Sequence, residues 1–522
     1  MRPMMHVPRA LLLAAALVLG SPAHAVSLPS TQVAWVPAAA PADVDRAFAS
    51  ARAAKKPVLL YWGASWCPPC NQLKATLFNR QDFAALSRSF VAVHVDGDRP
   101  GAQKLGQQFK VSGYPTLVLF SSDGKELTRL PGEAEADQVM ALLRQGLAGG
   151  RPVRAVLADA RAGQPLPAAE WRWLAFYSFD TDDQQLLAGT DAASVLAQLA
   201  TASTRGGADA DTAARLWLRA LAASDDGKGL KADAALRERV LALLADAGQV
   251  RALADVIVNH APAIVRVLGD DDSAHRRTAV AAFEPVLRRL QAEPALSRAD
   301  RLGALHARVE LARIDQPKAE LRPTLPEPLL RELREQSARL DREVTDGYER
   351  QAVIPSVAYV LERAGLWTDA ESLLLGNLAR SASPYYLMSQ LGGLNRQLGR
   401  RDDALRWYRQ AYERSEGPAT RLQWGAAYLR ALIDLAPAQA PQIEAVAADL
   451  FSQAAQDRGA FYKRSDRSLQ RVGAALKAWN KDGAHQASVQ RLQARLDTLC
   501  LRVDSADGQR QRCRTVLAAA PK

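Results

Sequence analysis

Only four cysteines occur in 522 residues, at 67, 70, 500 and 513. No second Cys-x-x-Cys accompanies the first pair. The histidines at 94, 260, 275, 306 and 485 are scattered. The four close ligands of a zinc site are therefore not assembled, and no metal is expected. Blocks of like charge are also missing. Lys and Arg outnumber Asp and Glu 67 to 56, a formal charge of +11, yet the Arg-Arg pairs at 276–277, 288–289 and 400–401 are interleaved with acids. That pattern describes solvated helix faces and argues against nucleic acid as a partner. Beyond the first 25 residues there is no apolar run of the roughly 20 residues needed to cross a bilayer. What remains is ordinary for a globular chain of several domains: 48% hydrophobic and 24% charged residues.

The N-terminus carries Arg2 and Arg9, an apolar run over 10–20 and the small-x-small site Ala23-His24-Ala25. This reads as a secretory signal cleaved after Ala25, leaving Val26 first and a charge of +9. Export implies an oxidising compartment, where a sparse, even set of cysteines fits two pairs. With the Ala- and Arg-rich composition, it suggests a Gram-negative periplasm or secretion.

Residues 26–42, rich in Ala, Pro and Ser, read as a linker. From 43 to 149 the pattern alternates helix and strand in the order α-β-α-β-α-β-β-α, with Asp123-Gly124 marking a hairpin. This predicts an α/β domain. After Gly149-Gly150 the strand signals vanish, and an all-α domain is expected to the end of the chain. Residues 150–350 show no clear repeat. Over 351–450 a 34-residue period emerges: 364–381 aligns with 398–415, pairing Gly365 with Gly399, Ala370 with Ala404 and Pro384 with Pro418. This resembles a tetratricopeptide (TPR) array, in which Gly turns the chain, Ala lets helices approach and Pro closes the unit. Residues 451–522 complete the helices. The aromatic stretch Trp171–Phe179 reads as core.

Cys67 and Cys70 flank Pro68 and Pro69 behind Trp66, which is expected to be exposed. A helix starting here brings the sulfurs within bonding reach. The first sulfur meets the free N–H groups and dipole of the helix N-terminus, which favour a thiolate. A thiolate is the species that attacks disulfides. Proline suits the first helical position, but each one removes an N–H donor. The Cys67 thiolate must then lean chiefly on the N–H of Cys70, which tilts the pair toward a reductant. A metal site or a purely structural staple fits this spacing less well.

Trp66-Cys67-Pro68-Pro69-Cys70 after an apolar strand, Gly113-Tyr114-Pro115-Thr116 before the next strand and Gly132 before the last helix resemble the thioredoxin superfamily. The resemblance spans 43–147. Its Trp-Cys-Pro-Pro-Cys recurs in reductant-type members such as tryparedoxins and nucleoredoxins. Tyr61, the 71–82 region and the leader look more like exported thioredoxin-like domains, such as the terminal domain of the membrane thiol:disulfide interchange protein. The resemblance implies Cys67 as nucleophile, Cys70 as resolving thiol, a Cys67–Cys70 redox disulfide, and a cis Pro115 beside it. Trp66, Tyr114 and Pro115 would border the substrate, with the Tyr114 backbone pairing to it. It implies no dissociable cofactor. Two positions depart from the cytosolic pattern. Tyr61 stands where a buried Asp would help deprotonate Cys70, and Ala92 where its Lys partner would be. His94 and water are the remaining candidates for the proton.

Cys500 and Cys513 flank Asp504-Ser-Ala-Asp-Gly508, a turn between helices. The expected reading is a structural Cys500–Cys513 disulfide, ahead of an internal redox partner for Cys67/Cys70 and of free thiols. The expected function is exported thiol–disulfide exchange of protein-disulfide reductase type. It would act on protein thiols and disulfides, draw on an upstream membrane electron donor, and use a TPR-like surface to bind a client or partner protein. The competing reading is a TPR scaffold with a vestigial thioredoxin fold; a peroxidase-type redoxin would carry a different cysteine context.

Overall fold

The computed structural model describes residues 32–518 apart from 184 and 226, so the leader assigned to 1–25 lies outside the described residues. Five strands form one sheet in the order β1-β3-β2-β4-β5. They are β1 (Val36–Ala38), β2 (Val58–Gly63), β3 (Val91–Asp96), β4 (Thr116–Phe120) and β5 (Glu126–Leu130). β1, β3 and β2 run parallel, and β4 and β5 are antiparallel additions. Every residue of β2 is buried, as its unbroken apolar run requires of a strand covered on both faces. Helices α1 (Pro41–Ala54) and α4 (Ala102–Gln108) cover Leu60, Trp62, Val93 and Val95. Helices α2 (Pro68–Leu73), α3 (Gln81–Leu86) and α5 (Ala136–Leu147) cover the other face around Leu59, Tyr61, Leu117 and Leu119.

One boundary needs correction. The stretch 26–42 was expected to be linker, yet Val36–Ala38 pairs with Val93–Val95 and α1 begins at Pro41. Three residues are too few to show alternation. Pro37 is tolerated because β1 is an edge strand, where one side of the backbone needs no ladder partner.

From Val153–Arg161 to Gln509–Thr515 the regular elements are helices. The core nevertheless runs unbroken across Gly149-Gly150. Trp171, Trp173, Tyr177 and Phe179 are buried in the same cluster as Leu119 and Leu143. The Trp173 ring lies on Gly146 and Gly150, where an added Cβ would come within 3.2 and 2.8 Å of it. Each buried aromatic of this kind is worth about 1.5–3 kcal/mol. Two hydrogen bonds reinforce the joint: Ser112 N–H donates to the Thr181 carbonyl (3.1 Å) and Ser178 N–H to that of Arg129 (3.1 Å).

Successive helical hairpins follow: Gly347–Arg363 with Trp367–Asn377, Pro384–Gln397 with Arg401–Arg414, and Pro418–Leu435 with Ala440–Gln456. Gly365 and Gly399 hold φ of +77° and +72° in the turns, a conformation that side chains with a Cβ resist. Ala370 and Ala404 are fully buried, and Pro384 and Pro418 open their helices. Cys500 and Cys513 form a disulfide with Cα atoms 5.7 Å apart, closing a loop whose cross-linking is worth about 3 kcal/mol. It packs with Leu496 and Val516, in a cluster separate from that of Cys67 and Cys70.

Glu362 lies at the end of the helix Gly347–Arg363. Its Oε1 is buried without a donor among the described residues, and burial raises the carboxyl pKa to about 7 from 4.5. The folded state therefore favours the neutral acid. Its stability is intact below the unfolded value of 4.5 and is lost as pH rises through 7. Glu362→Gln is expected to be near neutral at pH 4.5 and to stabilise by up to about 3 kcal/mol at pH 8. Urea midpoints at the two pH values check this.

Candidate functional site

Cys67 is the N-cap of α2, and Pro68 and Pro69 fill the first two helical positions. Neither proline has an N–H, so the first donor available at this helix start belongs to Cys70. It donates to Cys67 Sγ at 3.2 Å. Asn71, almost fully buried, holds the loop by donating to the carbonyls of Ser65 (2.7 Å) and Cys67 (2.9 Å). The two cysteines are joined as a disulfide with Cα atoms 5.2 Å apart. Cys67 keeps 3% of its surface exposed and Cys70 none. The Tyr114–Pro115 peptide is cis. Gly132 lets Pro115 close in: a Cβ there would stand 2.7 Å from Pro115 Cγ.

Behind the disulfide, Tyr61 on β2 stacks flat on its register partner His94, with ring centroids 4.9 Å apart. Burial first, then the positive charges of Lys74 and Arg99, bring the His94 pKa down to about 4. A neutral imidazole this weakly basic is a poor acceptor for a thiol proton, and no hydrogen bond joins it to Cys70 among the described residues. Burial also raises the Tyr61 phenol, whose hydroxyl has no partner among the described residues, and raises Asp96 while lowering Lys74.

Trp66 is not the exposed residue the sequence suggests. Four helices of the C-terminal region converge on it, and the contacts at 351, 386 and 420 recur at close to the repeat spacing. Gln351 donates to the Trp66 carbonyl (3.4 Å), and Tyr386 stacks on the indole at 5.9 Å. Trp424 meets the ring edge-on at 6.2 Å, and the Arg464 guanidinium lies 5.0 Å from it and 5.1 Å from Tyr114. The indole N–H donates to Asp98 Oδ2 (2.7 Å) and Thr420 Oγ1 (3.0 Å). Asp98 is in turn ion-paired with Arg464 and accepts from the Thr420 hydroxyl. Gln103 bridges the two parts, accepting from Arg464 N–H (3.0 Å) and donating to the Tyr114 hydroxyl (2.8 Å). The inner face of the hairpins, expected to receive another protein, is occupied here by the chain's own Trp66 loop. None of these partners has a local signature; they lie 285 or more residues from Trp66, apart from Asp98, Gln103 and Tyr114.

A cavity of about 520 Å³ remains between the exchange face and the helices, with Pro68, Pro69, Tyr114 and Pro115 on one wall. No group of three or more metal-ligating side chains clusters among the described residues, and no helix among them is long and apolar enough to cross a membrane.

A central sheet of this order with Cys-Pro-Pro-Cys at the start of α2 and a cis-proline loop beside it defines a thioredoxin fold with a redox-type disulfide. The family model described as a thioredoxin-like domain matches residues 44–147. Thioredoxin H5 of Arabidopsis thaliana is 32% identical over 99 residues, which span 76% of its length and 18% of this chain. The chain belongs to the thioredoxin family through this N-terminal domain. Thiol:disulfide interchange protein DsbD 1 of Pseudomonas aeruginosa is 31% identical over 121 residues, 22% of this chain. The match spans only 20% of that protein's length. Among solved structures, a thioredoxin from Thermus thermophilus is 28% identical, covering 21% of this chain and 84% of its own, with a TM-score of 0.19.

Proposed function

We propose that this chain is an exported, periplasmic thiol–disulfide oxidoreductase working in the reducing direction. The placement of Cys67 Sγ at a helix start, with the Cys70 N–H as its donor and cis Pro115 alongside, carries the reading. In the reduced form the Cys67 thiolate attacks a substrate disulfide sulfur. One substrate thiolate leaves and takes a proton, and a mixed disulfide forms. The Cys70 thiolate then attacks Cys67 Sγ, releases the second substrate thiol and restores the Cys67–Cys70 disulfide. Two electrons have passed to the substrate, and an upstream dithiol must return them. The similarity to thiol:disulfide interchange proteins supports a membrane protein as that donor.

The TPR-like hairpins are read as a roof that restricts which clients reach Cys67. The scaffold alternative, with a vestigial redox fold, is disfavoured because the inner face is already filled. Equilibration of Cys67/Cys70 in thiol redox buffers, with thiol trapping, tests the direction. A potential near about −270 mV is expected, in the range of reducing thioredoxins, whereas one near about −120 mV marks an oxidase. A pair that does not cycle sinks the enzyme reading.

A further inference from the structure

Among the described residues, Asn71, Asn377 and Asn395 are almost fully buried. Each donates a side-chain N–H to the carbonyl four residues back, at 2.9, 2.8 and 2.9 Å. The other N–H separates them. Asn377 and Asn395 give it to a carboxylate of another helix, Asp341 (3.0 Å) and Glu371 (3.5 Å). Asn71 gives it to the Ser65 carbonyl (2.7 Å), outside α2 and on the far side of Trp66. The Asn71 backbone N–H adds a bond to the Cys67 carbonyl (3.1 Å). One residue therefore fixes the carbonyls on both sides of the Trp66–Cys67 peptide. It is 2% exposed, so water does not replace a bond lost there. Cys67 is held extended, with φ −69° and ψ 116°. Pro68 and Pro69 have no N–H, so a sulfur that drifts from the Cys70 N–H (3.2 Å) meets no second donor in the first turn. In the disulfide the S–S bond itself keeps Sγ in place. Reduction removes that tether, and the position of the sulfur then depends on the backbone that Asn71 holds. A hydrogen bond made to the charged form is what keeps a thiol acidic.

We propose that Asn71 is a positioning residue of the exchange reaction: by pinning the Ser65 and Cys67 carbonyls it keeps Cys67 Sγ on the Cys70 N–H once the disulfide is reduced, and so holds the nucleophile as a thiolate. The inference rests on the oxidoreductase reading and deepens it. The step concerned is loss of the Cys67 thiol proton to water or buffer. The bonds made and broken in the exchange itself are those given above.

The test alkylates the reduced full-length chain with iodoacetamide from about pH 5 to about pH 10, with peptide masses reading Cys67 apart from Cys70. The rate follows the thiolate fraction. Asn71→Ala is expected to be alkylated at Cys67 about tenfold more slowly at about pH 6, its profile moved to higher pH, the rates converging at about pH 10 where both sulfurs are ionised. Asn71→Ser is expected to fall between, since its hydroxyl can return a bond to the Cys67 carbonyl but cannot reach that of Ser65. Asn395→Ala removes the same bond to the carbonyl four residues back, beside a different core cluster. It is expected to lower the urea midpoint and leave the Cys67 profile where it is. A profile unmoved in Asn71→Ala, or moved as far by Asn395→Ala, overturns the inference. If Asn71→Ala does not fold in urea titration, Asn71→Ser decides: a profile unmoved there overturns it equally. Alkylation needs no turnover, so these results stand apart from the oxidoreductase reading, which fails if the pair does not cycle in redox buffers.

Discussion

Cys70→Ser is expected to accumulate a stable mixed disulfide through Cys67, and Cys67→Ser to reduce disulfides no faster than the uncatalysed background. The asymmetry follows from the helix start. Cys67 Sγ faces the N–H of Cys70 and its residue retains the pair's residual exposure, so it is the sulfur we propose to engage substrate. Cys70 is fully buried and can reach only its neighbour. Serine at 67 keeps the hydrogen bond but not the nucleophile, since a hydroxyl stays protonated where a thiol ionises. Serine at 70 leaves attack intact and removes resolution. Mass spectrometry after incubation with a disulfide checks both: one adduct on Cys70→Ser, none on Cys67→Ser. Adducts in the reverse order would overturn the assignment.

Arg464→Met is expected to cost about 3–5 kcal/mol and to raise the rate with folded protein disulfides. Arg464 and Asp98 form a buried ion pair that joins the helical roof to the loop beyond β3. Removing one partner leaves a desolvated carboxylate unpaired, which is why breaking such a pair costs far more than the pair contributes. The same substitution strips the cation from the faces of Trp66 and Tyr114, so the roof loosens where it covers the exchange face. Adding Asp98→Asn should recover part of the stability but not the closure. Urea midpoints and insulin reduction, measured on the single and double variants, separate the two effects.

The chemistry of the site was legible from a few residues. Two prolines between two cysteines dictate which N–H remains, and the structure has that N–H on Cys67 Sγ. Gly113-Tyr114-Pro115-Thr116 marked the cis peptide, and Asp123-Gly124 the turn into β5. Strand β1 was illegible because three residues with a proline carry no period. The roof over Trp66 was illegible for another reason. Thr420, Trp424 and Arg464 read locally as ordinary helix residues, and their pairing with Trp66 and Asp98 is set by how some 300 residues of helix curve back. Periodicity reports which face of a helix is buried, not against what.

The unbroken core at Gly149-Gly150 bears on how such a chain is inherited. A cut there would bare Leu119, Leu143 and the glycines that seat Trp173. The redox domain of this chain is therefore expected to pass between genes only together with the first helical turns after Gly150, or with changes that cover the face they leave.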